Sequence, residues 1–146
     1  TEKDYVPGGC TALRDAIGTT IRHIAQIHRY ARNEDIPRKT VFVITTDGLE
    51  NASRQYSPGK VKEMIEHEKE KYGWEFLFLG ANIDAIETAR HLGIREDRAT
   101  NFMPDRDGVE LSFRSMAQAV SMARGSAPLS AEWKQDVERD YETRRR

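Results

Sequence analysis

The chain has 146 residues, 23 basic and 24 acidic side chains, and a formal net charge of −1. That length suits one domain, and an apolar fraction of 38% lies above the disordered range. The balanced charge excludes a global field that would recruit nucleic acid or anionic lipid, and the single cysteine, Cys10, excludes an internal disulfide or a Cys-based zinc site.

Gly8-Gly9 read as a turn, and Cys10-Thr11 open a helix. Its apolar positions, Leu13, Ile17, Ile21, Ile24, Ile27 and Ala31, recur in steps of three and four. Asp15 falls near the positive end of that helix, where a carboxylate is favoured. Pro37 closes the segment by pushing Ile36 out of helical geometry. Thr40 to Thr45 is an apolar run without alternation, which predicts a strand buried on both faces, as in a parallel sheet. A polar loop follows. Ser57-Pro58 then predicts a helix start, with Ser as cap and Pro at the first helical position. Val61, Met64 and Ile65 are its expected buried side and Glu63 to Lys71 its charged outer face. Gly73 ends it in a left-handed conformation.

Trp74 to Leu79 (WEFLFL) is the next expected strand, leaving through Gly80-Ala81-Asn82. Asp84 caps a short helix from Ala85 to Leu92 that stops at Gly93. Ala99 to Met103 is expected as a third strand. Residues 108 to 124 form an amphipathic helix with Val109, Phe113, Met116, Val120 and Ala123 inward. Ser126-Ala127-Pro128 breaks it, and Ser130 caps a last helix with Trp133, Val137 and Tyr141 on one face. Arg144 to Arg146 read as a solvated basic end. Helices alternating with strands predict an α/β class, a Rossmann-like parallel sheet with flanking helices and a helical carboxyl-terminal ending. The expected division is residues 1–124 as the α/β domain and 125–146 as a helical extension. No apolar run approaches the ~20 residues of a membrane span, and a cytoplasmic location is expected. Thr1 in place of an initiator methionine reads as a processed or fragmented start.

Ligands of open parallel sheets gather outside the carboxyl ends of the strands. Thr46-Asp47-Gly48 delivers a carboxylate to such an end, and Gly9-Cys10-Thr11 delivers a hydroxyl to a helix start that packs beside it. Hydroxyl and carboxylate oxygens suit a hard cation such as Mg²⁺. The plainer alternatives are a helix cap at Thr11 and a turn at Asp47-Gly48. Gly9, Glu50 and Asn51 flank the pair and are candidate ligand contacts. His23, His28, His67 and His91 lack metal-ligand spacing and read as surface or boundary residues. No nucleophile-elbow or phosphate-loop motif is present in the sequence.

The stretches GGCTALRDAI and VFVITTDGLEN closely resemble the second and third metal-site segments of von Willebrand factor A domains. YGWEFLFLGANIDA resembles bacterial and phage stand-alone members of that family. The resemblance implies strands four to six of the family's sheet, with Thr11 and Asp47 as cation ligands. The first segment of that site, Asp-x-Ser-x-Ser, occurs nowhere in this chain. Mg²⁺, or Mn²⁺ or Ca²⁺ in its place, is thus implied for an intact domain, and an incomplete site or none for this polypeptide. The implied function is a metal-dependent protein-binding module that captures a partner's carboxylate through the metal. A complementing amino-terminal fragment or an oligomer would pair with strand 40–45. The alternatives are a metal-assisted hydrolase or phosphoryl-transfer enzyme of the α/β class, and a degenerate structural domain.

Overall fold

After Glu75 the segment EFLFLG presents no polar side chain, so both of its faces have to be covered. In the structure, a computed structural model that describes residues 12–36, 39–48, 53–125 and 128–145, it is β2 (Glu75–Gly80). β2 is the middle of a three-stranded sheet between β1 (Val41–Thr46) and β3 (Ala99–Asn101). Both pairings are parallel. Phe42 stands opposite Phe76 and Ile44 opposite Phe78, so alternate side chains of the two strands share a face.

That alternation sorts the core into two clusters. Phe42, Ile44, Phe76 and Phe78 pack against α1 (Leu13–Tyr30), α2 (Pro58–Tyr72) and α3 (Ala85–His91) through Ile17, Ile21, Val61, Ile65, Ala85 and Ala89. Leu77 and Leu79 pack on the opposite face against α4 (Arg106–Arg124) through Ala119, α5 (Gln135–Arg144) through Val137, and Trp133 just before α5. The architecture is an open α/β sheet with helices on both faces.

Local signals set the boundaries. Ser57 Oγ accepts from Lys60 N at 3.1 Å, and Pro58 is the first residue of α2. Gly73 ends that helix at φ 68°, a conformation that a Cβ would penalise. Asp84 Oδ1 accepts from Glu87 N at 3.1 Å and starts α3. Ser130 caps a 3₁₀ turn, Ala131–Lys134, which then runs on into α5. The third strand is shorter than expected and ends at Asn101. The expected turn at Gly8-Gly9 and the break at Ser126-Ala127 lie outside the described residues.

Three expectations are corrected. β1 is not buried on both faces: Phe42, Ile44 and Thr46 are buried, but Val41, Val43 and Thr45 are only half-buried. Thr40 and Thr46 send their carbonyls to β2, accepting from Glu75 N and Ala81 N at 2.9 Å. By alternation, the backbone groups of Val41, Val43 and Thr45 point away from β2, and no described strand pairs with them. Second, α4 buries Gly108, Ser112, Ser115, Ala119 and Ala123. The predicted inward residues Val109 and Phe113 are 39% and 55% exposed. Small side chains let this helix lie close to its neighbours; a Cβ on Gly108 would collide with the Met103 carbonyl oxygen. Third, Glu68 leaves the charged face of α2 and is 6% exposed. It sits at the next step of the stripe begun by Val61 and Ile65, so helix geometry carries it inward.

The carboxyl-terminal segment is tied down by side chains reaching main chain. Trp133 Nε1 donates to Asp97 O at 2.8 Å. The buried Lys134 ammonium donates to Glu96 O and Ala99 O, both at 2.8 Å, and lies 3.2 Å from Glu138 Oε2. Arg144, expected in a solvated basic end, instead clasps Asp105 and Asp140. Among the described residues no helix is long and apolar enough to cross a membrane.

Trp133→Ala is expected to lower the unfolding free energy by ~3–5 kcal/mol, the cost of emptying a buried aromatic site, measured by urea denaturation. The Arg144 guanidinium, then the Gly108 amide, hold the Asp105 carboxyl down at about 2. A depressed acid stabilises the fold above its unfolded value near 3.8 and loses that contribution as pH falls toward about 2. The melting-temperature gap between wild type and Arg144→Gln should therefore be constant above pH ~5 and close between roughly pH 4 and 2. A gap that is unchanged at pH 2 would contradict the clasp.

Candidate functional site

All three strands are parallel, so their carboxyl ends share one edge. β1 leaves the core at Thr46, which is buried, and the next residue, Asp47, is exposed. The Thr46 hydroxyl is used within the exit turn, accepting from Gly48 N at 3.4 Å and donating to Gly48 O at 3.2 Å. Asp47 is exposed at this exit, and no described residue hydrogen-bonds its carboxylate.

The neighbouring strand exits contribute amides. Asn82 follows β2 with φ 60°, a left-handed geometry that Asn tolerates. Its Nδ2 donates to Asp47 O at 3.3 Å and joins the two exits. Asn101, at the end of β3, donates through Nδ2 to Gly80 O at 3.2 Å and Ile83 O at 2.6 Å, and its Oδ1 accepts from Ala85 N at 3.3 Å. Asn101 thus fixes the turn from β2 into α3.

α1 runs against the strands. Near its end His28 meets Trp74, just before β2, with ring centroids 5.9 Å apart. The start of α1 therefore lies at the carboxyl edge. There Asp15 accepts the backbone N–H groups of Arg54, Gln55 and Tyr56 at 2.9 to 3.0 Å. Ser53 Oγ accepts from Asp15 N at 3.0 Å, and Arg14 Nε donates to Tyr56 O at 3.0 Å. The carboxylate expected only to complement the helix dipole is in fact a three-point anchor for the loop that follows Asp47. Gly18 completes the seat: a Cβ there would lie 2.5 Å from Tyr56 Cδ1, so the glycine lets the ring rest on the helix.

Of the residues singled out from the sequence, Asp47 lies where it was expected, at a strand end on the carboxyl edge. Gly9, Thr11, Glu50 and Asn51 lie outside the described residues. What is brought together is the first turn of α1 and the loop leaving β1. Asp15, Asn82 and Asn101 were not anticipated as a group. Asn82 had a local signal, an Asn directly after a strand, but the partners of all three are distant in sequence.

A hard cation takes six or more oxygens. Among the described residues no group of three or more His, Cys, Asp or Glu could hold a metal ion. The described donors alone do not make a cation cage.

The fold and edge define an open, all-parallel α/β protein with a carboxylate at the exit of an outer strand. No family model matches the chain, and neither a curated protein nor a solved structure does.

Asp15→Asn should cost about 1–2 kcal/mol, because the replacement puts an amide donor against backbone donors. Hydrogen exchange of the amides of Arg54, Gln55 and Tyr56 should quicken, while that of β2 stays slow. Unchanged protection at those three amides would refute the anchor.

Proposed function

We propose that this chain is part of a von Willebrand factor A-type protein-binding module with an incomplete cation site. Thr11 and Asp47 are its own contribution to that site. The remaining oxygens and the strand that pairs with the open edge of β1 come from another polypeptide segment. The completed site would present Mg²⁺, or Mn²⁺ or Ca²⁺, to a carboxylate of a partner protein. Thr11 and Asp47 would hold and orient the cation, and no bond need be made or broken.

The observation that carries this reading is the position of Asp47. It stands exposed at the carboxyl end of an outer parallel strand whose far edge no described strand pairs. The anchoring of the following loop by Asp15, at the start of α1, supports a shared location for Asp47 and the segment around Thr11. The outward backbone groups of Val41, Val43 and Thr45 support the second half of the proposal, since an apolar strand with a free edge is a template for another strand.

Calorimetry of the chain alone with Mg²⁺ is expected to give no more than millimolar binding, since two protein oxygens leave most of the octahedron to water. Micromolar affinity of the chain alone would overturn the incomplete site, and affinity that survives Asp47→Ala would overturn the assignment of Asp47. In solution the chain should self-associate or capture a strand-bearing segment. A monodisperse monomer of ordinary thermal stability would remove the edge-pairing half of the proposal and leave the cation half to the calorimetry.

A further inference from the structure

At the opposite, amino-terminal edge of the sheet, α1, α2 and Trp74, just before β2, line an open cavity of about 750 Å³. That is within the roughly 300–1,000 Å³ typical of small-molecule sites. Trp74 and Ile21 form its apolar wall, and Tyr72 and His28 add rings toward the mouth. Arg29 and Lys71 are exposed cations of the lining.

Among the polar residues of the lining, Glu68 is the buried carboxylate. It is 6% exposed, and its Oε2 lies 3.3 Å from His67 Nδ1. Its Oε1 is buried and meets no hydrogen-bond partner among the described residues. Buried polar atoms in folded proteins are almost always paired, and an orphan among them asks for an explanation. A carboxylate oxygen that has lost water without gaining a donor is also a poor way to stabilise a helix. Its neighbour His67 is more than half exposed, so that contact does not lock the carboxylate against a small rotation toward the cavity.

We propose that this cavity binds a mononucleotide: a flat heterocycle with N–H donors joined to a phosphate. Each part of such a ligand has a counterpart in the lining of the cavity. An exocyclic amino or ring N–H group supplies the donor that Glu68 lacks. The flat base lies on Tyr72, which is 59% exposed, with the His28 ring beside it, and Trp74, itself packed against Phe42 and Phe76, forms the apolar floor beneath. The phosphate reaches Arg29 and Lys71, since arginine and lysine are the side chains that recognise it. A simple cationic amine would satisfy Glu68 but would meet Arg22, Arg29 and Lys71 around it. An apolar ligand would leave the carboxylate as it is. The site is independent of the Asp47 edge and does not rest on the cation-site proposal.

The test is calorimetry of the whole chain with AMP, GMP, CMP and UMP, with adenosine, guanosine and inorganic phosphate as partial ligands. At least one nucleotide is expected to bind more tightly than its nucleoside and than phosphate. Glu68→Gln, which keeps the volume and replaces one acceptor oxygen by a donor, should weaken it at least tenfold. Arg29→Gln should weaken the nucleotide several-fold and leave the nucleoside unchanged. It lies on an exposed helix face, so it keeps the proposal testable if Glu68→Gln fails to fold. Asp47→Ala should bind as wild type does. The proposal is overturned if no nucleotide binds at millimolar concentration, if phosphate alone binds as well as the nucleotide, or if both substitutions at positions 29 and 68 leave affinity unchanged.

Discussion

The structure depends on the burial of β2. Phe76 and Phe78 face one layer of helices while Leu77 and Leu79 face the other, and all four are essentially without solvent contact. A strand that is apolar on both sides cannot sit at a surface, so it imposes helices above and below and a neighbour on each edge. Parallel neighbours satisfy it, because each return path is itself a covering helix. Two consequences bear on function. Every strand delivers its exit to the same edge, which collects Asp47, Asn82 and Asn101. Every helix that runs back against a strand presents its start there, which brings Asp15 and its loop to the same place.

The second face is completed from the far end of the chain. Leu129, Trp133 and Val137 belong to the cluster that covers Leu77 and Leu79. Their elements are fastened by hydrogen bonds from Trp133 and Lys134 to the carbonyls of Glu96, Asp97 and Ala99. These bonds cross from one segment to another, so they act only once the sheet has formed. The Lys134 ammonium carries its charge into the interior against two carbonyl oxygens and Glu138, the condition under which burying a cation is tolerable. Arg144 then spans from α5 to the start of α4, where Asp105 both caps that helix, accepting from Gly108 N at 2.8 Å, and receives the guanidinium.

What could be read in the sequence follows from the range of each signal. Ser57, Gly73 and Asp84 act within one helical turn, and the structure has each cap at the expected residue. The strands of WEFLFL and VFVITT were legible from apolar runs, and so was the parallel class. The inward face of α4 was not. Hydrophobic periodicity points to Val109, Phe113 and Met116, but close helix packing selects Gly108, Ser112, Ser115 and Ala119, whose hydropathy carries no signal. Glu68 was misplaced for the complementary reason: its charge outweighed its position on the stripe of Val61 and Ile65. Asp15 was visible as a residue but not as an anchor, since its partners lie 39 to 41 positions away. Thr11, the other half of the expected cation pair, lies outside the described residues, so the sequence alone speaks for it.

The α4 packing and the outer edge of β1, which no described strand pairs, leave apolar surface on the same face of the sheet. A helix that buries glycine, serine and alanine gains proximity at the expense of apolar area, and its larger side chains are left on the flank. Val109 and Phe113 are one helical step of four apart, and Met116 and Val120 continue the same stripe half-buried. On β1, Val41 and Val43 face the cluster that this helix covers, yet they too are only half-buried. Described surface that is apolar in both helix and strand therefore lies on the same side of the sheet. A strand added beside Val41, Val43 and Thr45 would extend that layer and use their backbone groups at once. Such a strand would meet the backbone groups of β1 that no described strand pairs, whether or not it reached Val109 and Phe113.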